Sequence, residues 1–178
     1  MMEYLGDVFE KSVPGNKRKI FCKAIGDVFR GNANNPEFPQ EGFLDLIYLT
    51  SRLKTREPLE ALASSVGYGT ISKRDSKILD STLSVILSFP PSKEVGNTMN
   101  VLIESPNFDN GYIFTATEIL IKCNPLQVAE IVQKYKPRML KLRDESRELG
   151  GDEWNTFKSV SKQWVKALSR IKTKSSRT

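Results

Sequence analysis

The sequence predicts an all-helical protein, and three observations carry that expectation. Apolar residues return at three- and four-residue intervals along nearly the whole chain and no stretch alternates strictly, which is the period of helices and not of strands. Clusters of proline, glycine and asparagine interrupt this pattern at intervals. Leu53, Leu87 and Ile121, each closing an apolar run, stand 34 residues apart twice over, and a proline (Pro58, Pro90, Pro125) follows each of them three to five residues later. Equal spacing of helix, proline turn and next helix is the form that helical-repeat scaffolds take in sequence.

Nine to ten helices are expected, at 2–11, 17–30, 41–53, 57–66, 74–88, 93–104, 112–123, 125–135, 138–149 and 152–172. Val13-Pro14-Gly15-Asn16 separates the first two. Gly31-Asn32-Ala33-Asn34-Asn35-Pro36 with Pro39 forms a polar loop that no helix crosses. Val66-Gly67-Tyr68-Gly69 reads as a flexible loop after the fourth helix, and Pro90-Pro91 closes the fifth. Pro106-Asn107-Phe108-Asp109-Asn110-Gly111 has turn chemistry throughout and is expected to be exposed. Asn124-Pro125 is a helix start, with Asn capping free amides and Pro at the first helical position. Pro137 should break or kink what would otherwise be one helix from Leu126 to Leu149. In the last helix Asp152 and Glu153 suit the positive end of the dipole, and Arg170 and Lys172 the negative end.

The middle of the chain reads as three pairs. Their first members are Gly42 to Leu53, Ser76 to Leu87 and Tyr112 to Lys122, and their second members Glu57 to Val66, Lys93 to Ile103 and Leu126 to Tyr135. On this spacing residues 41–135 resemble a degenerate HEAT or armadillo-like helical repeat, without a diagnostic motif. The resemblance implies a short right-handed array within a single domain over 1–178. Residues 1–40 would cap it at one end, 41–137 would hold the pairs, 138–172 would cap the other end, and 173–178 would be a flexible basic tail. Stacked pairs leave an extended surface suited to holding a partner. The alternative is an irregular helical bundle.

Composition excludes several function classes. The chain has 178 residues, 39% hydrophobic and 27% charged, the balance of a folded globular protein. No run without a charged residue exceeds twelve residues, and one such run, Ser81 to Ser92, contains Pro90 and Pro91, so no membrane span is expected. Early acids at the N-terminus argue against a secretory signal, and a cytoplasmic protein is expected. Histidine is absent, which removes the commonest general base and metal ligand. Cys22 and Cys123 have no second cysteine nearby and read as buried free thiols. No metal site, no cofactor and no enzymatic activity are expected.

The formal charge of +6 is unevenly placed: net +2 over residues 1–30, −1 over 31–151 and +5 over 152–178. Lys158, Lys162, Lys166 and Arg170 repeat every four residues, so they run along one flank of the last helix, beside an apolar stripe of Trp154, Phe157, Val160, Trp164, Val165, Leu168 and Ile171. A second cluster, Lys17, Arg18, Lys19 and Lys23, opens the second helix, where cations oppose the dipole. These eight side chains are the candidate partner- or phosphate-binding residues. Among the aromatics, Phe38, Phe43, Tyr48, Phe108 and Tyr112 gather near loops, where they staple helices or stand as anchors.

The expected function is a non-enzymatic protein-binding module, such as a cognate regulator of the immunity or antitoxin type that occludes its partner. The alternative is a nucleic-acid-binding protein that grips phosphates with its basic last helix, in keeping with a pI near 9.3.

Overall fold

The computed structural model describes residues 15–53, 55–71 and 76–175. Among them are eight α-helices and no strand: α1 (Gly15–Asn32), α2 (Gln40–Leu53), α3 (Arg56–Tyr68), α4 (Ser76–Ser88), α5 (Lys93–Ile103), α6 (Ile113–Cys123), α7 (Val128–Leu149) and α8 (Gly151–Ser175). Short 3₁₀ turns at Asn110–Tyr112 and Pro125–Gln127 lead into α6 and α7. The helix expected at 2–11 lies outside the described residues. The class is as expected; among the described residues eight helices stand where nine were expected, because the two helices expected on either side of Pro137 are one.

The chain divides into two compact units. One holds the described residues as far as Pro90 together with Asn97–Phe108, and the other holds Pro91–Gly96 and the described residues from Asp109 on.

In the first unit α3 is the central helix. It packs against α1 and α4 and also touches α2, while α2 lies along α4. Leu59, Leu62 and Val66 fill its core face, and the small residues Ala61, Ala63, Ser65 and Gly67 are buried beside them, so the helix is enclosed on most of its circumference. Small side chains let neighbouring backbones come close. A Cβ at Gly26 of α1 would stand 3.4 Å from the Cβ of Ala61. On α1 the residues Cys22, Ile25 and Phe29 face inward at helical spacing, and Thr55 donates its hydroxyl to the sulfur of Cys22 at 3.2 Å.

The segment Val66-Gly67-Tyr68-Gly69, expected as a loop, is instead the last turn of α3 and its cap. Its glycines serve close packing. A Cβ on Gly67 would meet the Cβ of Ser105 at 2.7 Å, and one on Gly69 would meet the carbonyl oxygen of Ser65 at 2.2 Å and that of Ala33 at 2.5 Å. The chain just beyond is tied to the loop after α1: Thr70 N–H donates to the Asn34 side chain at 3.1 Å and Ile71 N–H to the Ala33 carbonyl at 3.2 Å. The Pro106–Gly111 segment has Pro106, Asp109 and Gly111 exposed as expected, while Phe108 within it is buried.

In the second unit α6, α7 and α8 pack against one another pairwise. α6 is its most buried element, with Ile113, Phe114, Ala116, Thr117, Ile119, Leu120 and Ile121 all inside. α7 runs unbroken through Pro137. Tyr135 and Met139 are buried on either side of that proline, which is itself exposed, so packing holds both turns while water can serve the carbonyl that loses its N–H partner. Asn124 does not cap the following helix with its side chain; it donates its amide back to the Leu120 carbonyl at 3.3 Å, closing α6.

Candidate functional site

The last two helices are joined by two glycines, Gly150 and Gly151, with φ of 69° and 51°. Both values lie in the left-handed region that side chains disfavour, and Gly150, with ψ of −157°, is in a conformation essentially restricted to glycine. Gly150 N–H donates to the Ser146 carbonyl and Trp154 N–H to the Gly150 carbonyl. The end of α7 and the start of α8 are thereby closed, and α8 is turned to pack on both α6 and α7.

None of the described side chains of α8 is fully buried. Trp154, Phe157, Val160, Ser161, Trp164, Ala167 and Leu168 are half-buried, and Val165 is 60% exposed. The aromatic members are ordered by one another. Trp154 stacks on Phe157 at 5.5 Å between centroids with the rings 4° apart, and Phe114 of α6 meets Phe157 and Trp164 edge-on at 5.7 and 5.5 Å. The indole N–H of Trp164 is buried without an acceptor among the described residues, an omission that costs about 1–3 kcal/mol.

Lys158, Lys162 and Lys166 are exposed along the outer flank of this stripe, as their four-residue spacing predicts. The Lys158 ammonium lies 5.7 Å from the centre of the Trp154 ring, a cation–π contact that ties the basic flank to the aromatic stripe. Arg170 continues the spacing on the helix backbone, while its side chain lies outside the described residues. α8 itself extends to Ser175.

Lys17, Arg18, Lys19 and Lys23 are all exposed on the first turns of α1, which has no carboxylate in its opening turn. They accompany an exposed apolar strip that the sequence reading did not single out: Ile20 is 70% exposed, and Phe21 and Val28 stand out beside it. The two basic clusters belong to different units. Of the aromatics near loops, Phe43 is the staple, edge-on to both Phe29 and Phe38, whereas Tyr48 is exposed and has the Arg52 guanidinium above its ring.

Two concavities had no signature in sequence. A groove of about 380 Å³ between α2 and α4 has Leu44, Ile47, Tyr48 and Val85 with a row of serines along it. A smaller cavity of about 240 Å³ is lined from α6, α7 and α8 within the second unit. Both gather residues more than thirty positions apart in the chain, which periodicity along one helix cannot reveal.

Cys22 is buried as expected, and Cys123 is half-buried. Burial pushes the Cys123 thiol above its ordinary pKa, and a hydrogen bond from the Ser92 backbone offsets part of that rise. Among the described residues no group of three or more carboxylates and thiols is placed to hold a metal ion, and no helix is long and apolar enough to cross a membrane. Comparison of the chain with protein-family models, with curated proteins and with solved structures gives no match.

Proposed function

We propose that this protein is a non-enzymatic protein-binding module that uses α8 as its contact helix for an acidic partner. One observation carries the proposal: a 25-residue helix with no fully buried described side chain presents half-buried tryptophans and the exposed Val165 next to a row of exposed lysines. Large apolar side chains left at the surface beside charge are typical of docking faces, with aromatic anchors at the centre and charges at the rim. An acidic helix or strand whose apolar residues meet Trp154, Val165 and Leu168 would place its carboxylates against Lys158, Lys162 and Lys166.

The packing within the first unit supports a scaffold role. α1 packs on α3 and α2 on α4, so neighbours lie two helices apart in sequence, which is how stacked helix pairs of the HEAT or armadillo type are built. A cognate regulator that occludes an acidic surface, in the manner of an immunity or antitoxin protein, fits such a scaffold.

A photoreactive residue in place of Val165 tests this in extracts of the source cells. A protein adduct that disappears when Lys158, Lys162 and Lys166 are changed to Glu supports the proposal. An adduct removed by nuclease transfers the lysine row to the nucleic-acid reading, in which Trp154 would stack a base and the lysines hold phosphates; binding would then fall steeply with salt.

A further inference from the structure

The outer side of α1 carries an apolar strip that packing within the first unit does not use. Cys22, Ile25, Gly26 and Phe29 form the buried side of the helix. At about 100° per residue, Ile20, Phe21, Ala24 and Val28 gather within roughly one third of the circumference, turned away from that side. All four are exposed, Ile20 most of all at 70%. Arg18 lies on one flank of the strip and Lys19 and Lys23 on the other, with Lys17 one turn ahead of it, and each of these cations is exposed. Asp27, the one carboxylate of the helix, is taken up by Arg30 at 2.6 Å. Lys19 and Lys23 have no ion-pair partner among the described residues.

Neither half of this pattern serves the fold. Cations at the start of a helix oppose its dipole, and an outward isoleucine contributes little burial. Together they fit a surface that is apolar within and anionic at its boundary. A protein partner has to offer a concavity shaped to each protruding side chain, whereas a lipid leaflet closes around any of them. Ile20 protrudes from a convex helix face with cations on both flanks, and neither of the two concavities described above is lined by α1. Charge and shape together favour lipid.

We propose that α1 seats the protein on an anionic lipid surface, lying in the plane of the leaflet and not across it. Ile20, Phe21 and Val28 would enter the boundary between headgroups and acyl chains, about 5–10 Å deep. Lys17, Arg18, Lys19 and Lys23 would reach the headgroup phosphates and carboxylates on their own alkyl stems. Each cation near such a surface raises affinity about fivefold, and the few apolar side chains alone give only weak binding to neutral lipid. The proposal rests on α1 and is independent of docking through α8.

The test is co-sedimentation of the full-length chain with vesicles of phosphatidylcholine alone and of phosphatidylcholine with about 30 mol% phosphatidylserine. We expect binding to the anionic vesicles that weakens between about 50 and 200 mM salt, and little binding to the neutral ones. Ile20→Ser should weaken binding about tenfold with an unchanged Tm, since the side chain is exposed. Lys19→Glu combined with Lys23→Glu should weaken it about twentyfold or more. Lys158, Lys162 and Lys166 changed together to Glu is the control for α8, and that variant should bind as the parent does. Binding abolished by the α8 changes and kept by the α1 changes, equal binding to neutral vesicles, or no binding to the anionic ones would overturn the proposal. A photoreactive residue at position 20 that labels an acidic protein, in a chain indifferent to vesicles, would also overturn it and give the strip to a protein partner.

Discussion

The side-chain amide of Asn107 donates to the carbonyl of Gly69 at 2.7 Å, across 38 residues of sequence. It joins the loop after α5 to the cap of α3, where Gly69 N–H in turn donates to the Ser65 carbonyl at 2.7 Å. Removing the amide leaves a carbonyl short of a partner, so Asn107→Ala should lower stability by about 1 kcal/mol. Gly69→Ala should cost more, about 2–4 kcal/mol, because its Cβ meets backbone oxygens that cannot swing aside. Urea titration followed by circular dichroism measures both, and a Gly69→Ala chain as stable as the parent would contradict the close packing described for α3.

Pro137→Ala should stabilise the protein. The proline is exposed within α7, and alanine restores an N–H to the helix ladder without disturbing Tyr135 or Met139. A gain of about 1–2 kcal/mol is expected, less than the full interior proline penalty because tertiary packing already holds both turns. A raised Tm is the readout.

Gly150→Ala tests the turn between α7 and α8. No atom lies within 4 Å of the Cβ it would carry, so the penalty is conformational alone. With φ of 69° and ψ of −157° it should amount to about 1–3 kcal/mol. Quenching of the two tryptophans by acrylamide, both of them on α8, should rise if α8 loosens from its neighbours. Unchanged stability would mean that another turn serves equally well.

Cys123 sets a dependence on alkaline pH. A thiol whose folded pKa is raised holds its proton more tightly in the native state, so its contribution is complete below the unfolded value near 9.0 and is lost as pH rises through the folded value. Stability should therefore decline above about pH 9, and Cys123→Ser should flatten that decline. Alkylation by iodoacetamide should be slower at Cys123 than at an unhindered thiol at the same pH. An identical pH profile for the variant would assign the decline to other groups.

Helix positions were legible in sequence because their signals are local. The polar loop around Asn34 and the break at Pro90-Pro91 stand where the breakers put them, and Lys158, Lys162 and Lys166 are exposed because their spacing keeps them off the apolar stripe. Lys141 pairs with Glu145 at 3.6 Å, the attraction that their i to i+4 spacing implies. The 34-residue spacing does not translate into equal surroundings: Leu53 is half-buried, Leu87 is 50% exposed and Ile121 is buried. Burial depends on which helices come to lie against a position, and spacing along the chain does not record that.

The sequence by itself determined the all-helical class, most helix limits and the exposed basic flank, since each follows from a 3.6-residue period and from residues that end it within a few positions. Only the tertiary structure decided that α7 continues through Pro137, that Val66–Gly69 closes a helix, that Asn124 reaches backward, and that Ser146 meets Asp152 and Phe114 around one cavity. Those outcomes turn on packing between segments far apart in the chain, where burial of neighbouring side chains outweighs a local preference of about 1–3 kcal/mol.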